Sequence, residues 1–163
     1  MKRPILSIPK TNLEVLHDVI SIAVILSSIA YLFVEWPKLP AQIPTHFNGS
    51  GKVDGWGGKG TLFILPIISI VIYIGLTVLS KFPHSFNYLS EITESNAQRQ
   101  YTNAKMLLSW LKVEIAVLFS YLLWKSVEVA ADKINDLGVF IYVILALVVL
   151  TIIFYIYRTI KLK

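Results

Sequence analysis

Cysteine is absent from the 163 residues, which excludes disulfide bonds, thiolate nucleophiles and cysteine metal sites. Charged residues are also scarce: they make up 15% of the chain, against 55% hydrophobic residues and a mean hydropathy of +0.66. A soluble domain with this balance would have too little polar surface. Although the pI is about 9.4, no single basic patch with interleaved aromatics exists, so we expect no nucleic-acid partner. The composition predicts a protein whose partner is the lipid bilayer.

Four apolar runs approach the length of about 20 residues that a membrane-spanning helix needs. They predict helices at about 19–36, 61–79, 96–124 and 137–157 in one domain that covers 1–163. The first run has a basic flank, as a signal peptide has, but Trp36 and Pro37 follow it where a small-residue cleavage site would stand. We interpret it as a retained helix. The predicted fold is an all-α integral membrane protein, a four-helix transmembrane bundle.

Lysine and arginine are more numerous on the side of the membrane that would carry both termini. That side has residues 2, 3, 10, 81, 99, 105, 158, 161 and 163, and the other side has residues 38, 52, 59, 125 and 133. By the positive-inside rule, the N-terminus and the C-terminus are both predicted to be cytoplasmic in a multi-pass protein of the cell membrane.

The loop at 37–60, between the first two helices, has an unusual composition. Prolines at 37, 40 and 44 end the first helix, and six of the eight glycines of the chain follow at 49, 51, 55, 57, 58 and 60. Such a density of glycine predicts tight turns with positive φ angles. A flexible tether would lack large residues such as Phe47 and Trp56. We therefore expect a structured Gly/Pro-rich extracytoplasmic loop.

Helix starts give three further expectations. Asn12 is a candidate N-cap for the first helix, and Ser95 with Gln98 matches a capping box for the third. Pro66 is predicted to kink the second helix one or two turns inside its outer end. On the third helix, Lys112 is expected to reach the inner interface or to pair with Asp18.

His46, Asn48 and Asp54 are three polar side chains that glycine turns would bring together at the membrane surface. Imidazole and carboxylate can bind a divalent cation or perform acid–base chemistry, so His46 and Asp54 are also the candidate metal ligands. The alternatives are ligand recognition and a purely structural role, in which these side chains hold the turns of the loop. A catalytic zinc usually needs a third protein ligand, which the loop does not supply.

Glu114 lies near the middle of the third apolar run, where an ionised side chain costs about 2.5–3.5 kcal/mol or more. Tyr121 lies seven residues further on and shares its helix face. We expect Glu114, Tyr121 and His46 to line one cavity that opens outward. The alternative is a protonated Glu114 that hydrogen-bonds a neighbouring helix.

The loop also carries a family resemblance. Its residues Leu39-Pro40, Ile43-Pro44, His46-Phe47-Asn48, Gly51, Asp54-Gly55-Trp56 and Lys59 are similar to the motif of the bacterial membrane domain of unknown function 1648. Residues 96–101, Leu111-Lys112, Glu114, Phe119 and Tyr121 resemble the third-helix region of the same family, so the resemblance covers roughly 15–125. The domain also occurs in SdpI-type immunity proteins.

Three functions are compatible with these features. The first is a protein resembling SdpI-type immunity proteins that binds a peptide, toxin or small ligand through the outer loop and a polar cavity; its site residues would be His46, Asn48, Asp54, Lys59, Glu114 and Tyr121. The second is an ion-coupled small transporter that uses Glu114, in which a homodimer would supply eight helices. The third is a metal-dependent intramembrane hydrolase, which lacks a recognisable nucleophile, so a non-enzymatic role is favoured.

Overall fold

The computed structural model describes residues 3–162 and contains four long helices. They are α1 (Asn12–Glu35), α2 (Ile64–Leu79), α3 (Ala97–Ala130) and α4 (Phe140–Lys161). With the 3₁₀ turns that adjoin α1 and α2, all four are long and apolar enough to cross a membrane. The predicted all-α, four-helix fold is confirmed, and the protein is a multi-pass membrane protein. The 3₁₀ turns that adjoin α1 and α2 are Trp36–Lys38 and Lys59–Phe63, and a third lies at Pro83–Ser85.

Helix α3 is the centre of the bundle, since it packs against α1, α2 and α4. It has 34 residues, which corresponds to a length of about 51 Å. Polar side chains on α3 are buried against the other helices, whereas α4 exposes large apolar residues such as Phe154 and Leu150. This polarity is the reverse of that of a soluble bundle, because lipid solvates the outer surface.

The helix bounds differ from the predicted ones at both ends of the bundle: α1 begins at Asn12 and α4 ends at Lys161, where 19 and 157 were expected. Helix α3 continues to Ala130, past the expected end at 124, because Val127 and Ala130 are buried in the hydrophobic core beneath the loop. Helix α4 begins only at Phe140, because Gly138 before it has a φ of +72° that a right-handed helix does not allow. Neither the tertiary burial of Val127 and Ala130 nor the φ angle of Gly138 can be predicted from local hydropathy.

Both capping predictions were wrong. The N-cap of α1 is Thr11, whose hydroxyl accepts from the backbone amide of Glu14 while the Glu14 carboxylate accepts from the amide of Thr11. For α3, the N-cap is Asn96 and no side chain caps the helix. Ser95 hydrogen-bonds Thr93 at 2.9 Å instead, because the preceding residues form their own turn.

Pro66 does not lie where it was expected. It is the third residue of α2, within the first turn, where a helix needs no backbone donor. A 3₁₀ turn at Lys59–Phe63 precedes the helix, so the α-helix starts later than the apolar run. The missing amide of Pro66 therefore leaves no hydrogen bond unmade.

The outer loop is folded, as expected, but as a β-hairpin. Strand β1 (Gln42–Phe47) pairs antiparallel with β2 (Val53–Gly58). Of its glycines, Gly51 alone has a positive φ, +79°. Gly55 and Gly57 serve another purpose, because a Cβ on either would lie 2.9 Å from a side-chain carbon of the opposite strand. The expectation of positive φ throughout the loop was wrong; two glycines permit close strand approach.

The hairpin packs onto the end of the helix bundle. Ile43 of β1 is fully buried with Leu32 of α1 and Leu123 of α3. The tip of the hairpin contacts the segment between α3 and α4, where the amide of Leu137 donates to the carbonyl of Gly51 at 3.1 Å. We call this side of the membrane the hairpin face, and the side with residues 3–11, 80–96 and 162 the terminal face.

Candidate functional site

His46 and Asp54 form a side-chain pair across the hairpin. The Nδ1 atom of His46 hydrogen-bonds the Oδ1 atom of Asp54, and the two side chains are 71% and 42% exposed. Gly55 lies opposite His46 in the ladder, so the imidazole has space to cross to the neighbouring strand. Because Nδ1 is engaged by the carboxylate, the pair presents Nε2 as the ring nitrogen for a ligand.

Asn48 has a structural role. Its Oδ1 atom accepts from the backbone amides of Ser50 at 3.0 Å and Lys52 at 3.1 Å, and from the Ser50 hydroxyl at 2.7 Å. This is an Asx-type turn at the tip of the hairpin. The side-chain oxygen is therefore used within the turn, and the structure does not bring Asn48 into contact with the His46–Asp54 pair.

A cleft of about 400 Å³ lies beside the pair. Residues 44–47 of β1 form one wall. Thr61 and Leu62 of the preceding 3₁₀ turn and Ile64 and Leu65 at the start of α2 form another, and Leu122, Ser126 and Leu137 complete it. The lining is apolar apart from a few hydroxyl groups and the imidazole of His46. This combination of apolar walls with few polar groups is typical of small-ligand sites.

Lys59 and Tyr121 lie near the cleft but support its walls. The ammonium of Lys59 lies 4.7 Å from the centre of the Trp36 ring and donates to the carbonyls of Trp36 at 3.3 Å and Leu39 at 3.4 Å. The Tyr121 hydroxyl donates to the carbonyl of Leu137 at 2.5 Å. Both polar groups therefore connect the hairpin face to the helices.

Glu114 lies apart from the cleft. It precedes Ser126, a lining residue, by twelve positions on α3, a rise of roughly 18 Å. Its Oε1 accepts from the Thr151 hydroxyl of α4 at 2.5 Å. Its Oε2 is buried and has no hydrogen-bond partner among residues 3–162. The structure thus joins Glu114 to α4 and not to His46 or Tyr121.

Sequence reasoning missed most of a charged network near the terminal face. The predicted pairing of Lys112 with Asp18 is confirmed. Lys10 also donates to Asp18, at 2.5 Å, and this hydrogen bond raises the pKa of the Lys10 ammonium above its usual value. His17 hydrogen-bonds Ser109 at 2.9 Å.

Sequence spacing contained a signal for this network. Glu14, His17 and Asp18 on α1, and Lys105, Ser109 and Lys112 on α3, follow helical periodicity. Side chains three or four residues apart share one helix face. Six polar residues on two such faces predict a polar contact between α1 and α3. Of this contact, only the pairing of Lys112 with Asp18 was predicted.

A metal site receives no third ligand. Within the described chain, no three His, Cys, Asp or Glu side chains come together in a group that could hold an ion. His46 and Asp54 contact each other, and the carboxylate of Glu114 lies deep in the bundle. The arrangement suits hydrogen bonding at the cleft better than ion coordination.

Comparison with known proteins finds one family model that is similar to the hairpin segment. Residues 23–70 match the family model of the domain of unknown function DUF1648. The predicted resemblance is thereby confirmed. The matched residues comprise the second half of α1, the hairpin and the start of α2, so the match is narrower than the expected 15–125 and does not include the third-helix region.

One relative comes from an archaeon. It is an uncharacterised protein of Archaeoglobus fulgidus, 31% identical over 65 residues, which cover 35% of this chain and 36% of that protein. The chain therefore covers about a third of the length of this relative. No solved structure matches the chain.

Proposed function

We propose that this DUF1648 protein is a receptor-like protein of the cell membrane that binds a peptide, toxin or small ligand at its hairpin face. In this proposal both termini are cytoplasmic and the hairpin is extracytoplasmic, in accord with the distribution of lysine and arginine. The resemblance to SdpI-type immunity proteins suggests protection as the cellular role. Such a role requires binding without turnover.

The observation that supports binding most strongly is the position of His46 at the cleft. The exposed imidazole lines an apolar cleft of about 400 Å³ and is oriented by Asp54. Binding sites for small ligands are typically about 300–1,000 Å³ in volume and combine apolar walls with a few directed polar groups. The cleft has both properties.

A peptide in extended conformation fits the geometry of β1. In the described chain this strand pairs with β2 only, so its other edge carries no further strand. Residues 44–47 of the same strand line the cleft. A peptide added as a third strand would place alternate side chains in the apolar space, a common mode of peptide recognition.

The test uses the protein in lipid nanodiscs and a random peptide library displayed on phage. We expect His46→Ala to weaken the selected peptides about tenfold, since one hydrogen bond contributes about 0.5–1.5 kcal/mol. Lys38→Ala is the matched control, because Lys38 is exposed on the same face and does not line the cleft. Equal binding by both variants would exclude the site.

A thermal melt of the same variants separates recognition from a structural role. His46 is 71% exposed, so His46→Ala should leave the melting temperature nearly unchanged. A large decrease in melting temperature, with unchanged affinity for the folded fraction, would show that the pair stabilises the hairpin and recognises no ligand.

Ion-coupled transport is the second candidate because of Glu114. Its Oε2 is buried between helices and has no hydrogen-bond partner in the described part of the chain; ionisable residues at mid-membrane commonly serve ion pathways. In proteoliposomes loaded with a pH-sensitive dye, Glu114→Gln should abolish an ion flux and retain peptide binding. A flux that persists in this variant would contradict the role of Glu114.

A further inference from the structure

A second cavity lies at the opposite side of the protein, on the terminal face. Its volume is about 200 Å³, and its walls come from three segments: Leu6, Ser7 and Ile8 before α1, Ser80 and Lys81 after α2, and Lys105 of α3. The bundle separates this cavity from the hairpin-face cleft. Neither the family match, which ends at residue 70, nor the proposed function involves it.

Two ammonium groups give the cavity a positive character. Lys105 is 5% exposed and is fixed in place, because its Nζ donates to the carbonyls of Ile8 at 2.7 Å and Pro9 at 3.1 Å. The Glu14 carboxylate lies 3.7 Å from this Nζ and offsets part of its charge. Lys81 is exposed and forms no ion pair within the described chain, so it is available to an anion.

The C-terminal end of α2 should repel an anion only weakly. A helix C-terminus normally presents free carbonyl groups and a partial negative charge. Here the backbone amides of Ser80, Lys81 and Phe82 donate to the preceding turn at 2.9–3.0 Å, and the Ser80 hydroxyl donates to the carbonyl of Thr77 at 2.8 Å. These hydrogen bonds engage the carbonyl groups of Leu76, Thr77, Val78 and Leu79 in the last turn of α2.

The depth of the cavity corresponds to that of lipid headgroups. Helix α2 ends at Leu79, and the next two residues line the cavity, which places it at the boundary of the apolar layer. The neighbouring Leu6 and Ile8 offer apolar contacts. Basic pockets between helices at this level bind the headgroups of anionic lipids.

We propose that this cavity binds the phosphate group of an anionic lipid. Lys81 and the Ser7 hydroxyl contact the phosphate oxygens, and the fixed charge of Lys105 adds attraction from the cavity wall. Inorganic phosphate shares this chemistry, so the experiment must distinguish the two sources. The proposal is independent of ligand binding at the hairpin face.

The test measures the lipid that the purified protein retains, by native mass spectrometry after exchange into mixed micelles of phosphatidylglycerol and phosphatidylcholine. We expect the wild type to retain phosphatidylglycerol selectively and Lys81→Gln to retain at least fivefold less, with rescue by Lys81→Arg. Lys161→Gln is the matched control, because Lys161 is an exposed cation on the same face that does not line the cavity.

Three outcomes would overturn the proposal. The first is a wild type without preference for phosphatidylglycerol. The second is an equal loss in Lys81→Gln and Lys161→Gln, which would indicate general attraction to the charged surface. The third is displacement of the retained lipid by millimolar inorganic phosphate in a Lys81-dependent manner, which would assign the cavity to free phosphate.

Discussion

At the scale of single residues, the glycines of β2 determine whether His46 can reach Asp54. Gly55 lies opposite His46, and a Cβ at position 55 would approach the Cβ of His46 to 2.9 Å. Gly58 lies on the same strand, and a Cβ there would meet nothing within 4 Å. Replacement of Gly55 by a larger residue should therefore disturb the pairing of the strands, whereas replacement of Gly58 should not.

We predict that Gly55→Ala destabilises the hairpin by about 1–3 kcal/mol, the usual cost of overpacking. Gly58→Ala is the control and should be nearly neutral. Thermal unfolding of both variants in detergent measures the difference, and peptide binding should decrease in Gly55→Ala because the imidazole must move. Equal melting temperatures would show that the strands separate at no cost.

At the scale of elements, the start of α1 is stabilised by reciprocal hydrogen bonds and the start of α3 is not. Thr11 and Glu14 satisfy each other's backbone amides. The sequence indicated that helices begin near these positions, but the choice of cap depends on the φ and ψ angles of the residue before the helix. Thr11 and Asn12 are both suitable N-cap residues, as are Ser95 and Asn96, so the sequence could not predict which one caps each helix.

We predict that Thr11→Ala lowers the free energy of unfolding by about 1 kcal/mol through loss of the cap. Ser95→Ala is the matched control, because Ser95 fits the capping pattern in sequence but caps no helix. Hydrogen exchange at the first turn of α1 should accelerate in Thr11→Ala alone. Acceleration of the first turn of α3 in Ser95→Ala would contradict the assignment of its cap.

At the scale of the whole molecule, α3 connects the other helices through different chemistry at its two ends. Near the terminal face, Lys112 pairs with Asp18 of α1, and both residues are buried. Near the hairpin face, Leu123 and Val127 pack in an apolar core with α1 and the hairpin. Removal of Lys112 would leave the buried Asp18 carboxylate with Lys10, whose side chain is 47% exposed, as its remaining cationic partner.

We predict that Lys112→Met destabilises the protein by about 3 kcal/mol, the lower end of the range for a broken buried pair, because Lys10 still pairs with Asp18, and that the added Asp18→Asn restores part of this loss. The double-mutant cycle by thermal unfolding measures the coupling. Lys133→Met is the control, since the pair of Lys133 with Glu128 is solvent-exposed on the lysine side and exposed pairs contribute little. Additive effects at positions 18 and 112 would contradict the coupling.

The amino-acid sequence alone predicted four helices that are long and apolar enough to cross a membrane, and the folded character of the loop between the first two. Both follow from local chemistry: about 20 apolar residues form a spanning helix in lipid, and clustered glycine and proline exclude helix. The loop motif also predicted the similarity to the DUF1648 family model, although not the residues that it covers.

The tertiary structure decided which polar residues meet. It joined His46 to Asp54, directed Tyr121 to Leu137 and paired Glu114 with Thr151. Each contact depends on strand register or on the rotation of a helix against its neighbour, and these are fixed by packing between segments distant in sequence. Spacing along one helix could place Glu114 and Tyr121 on a common face, but it could not state what that face contacts.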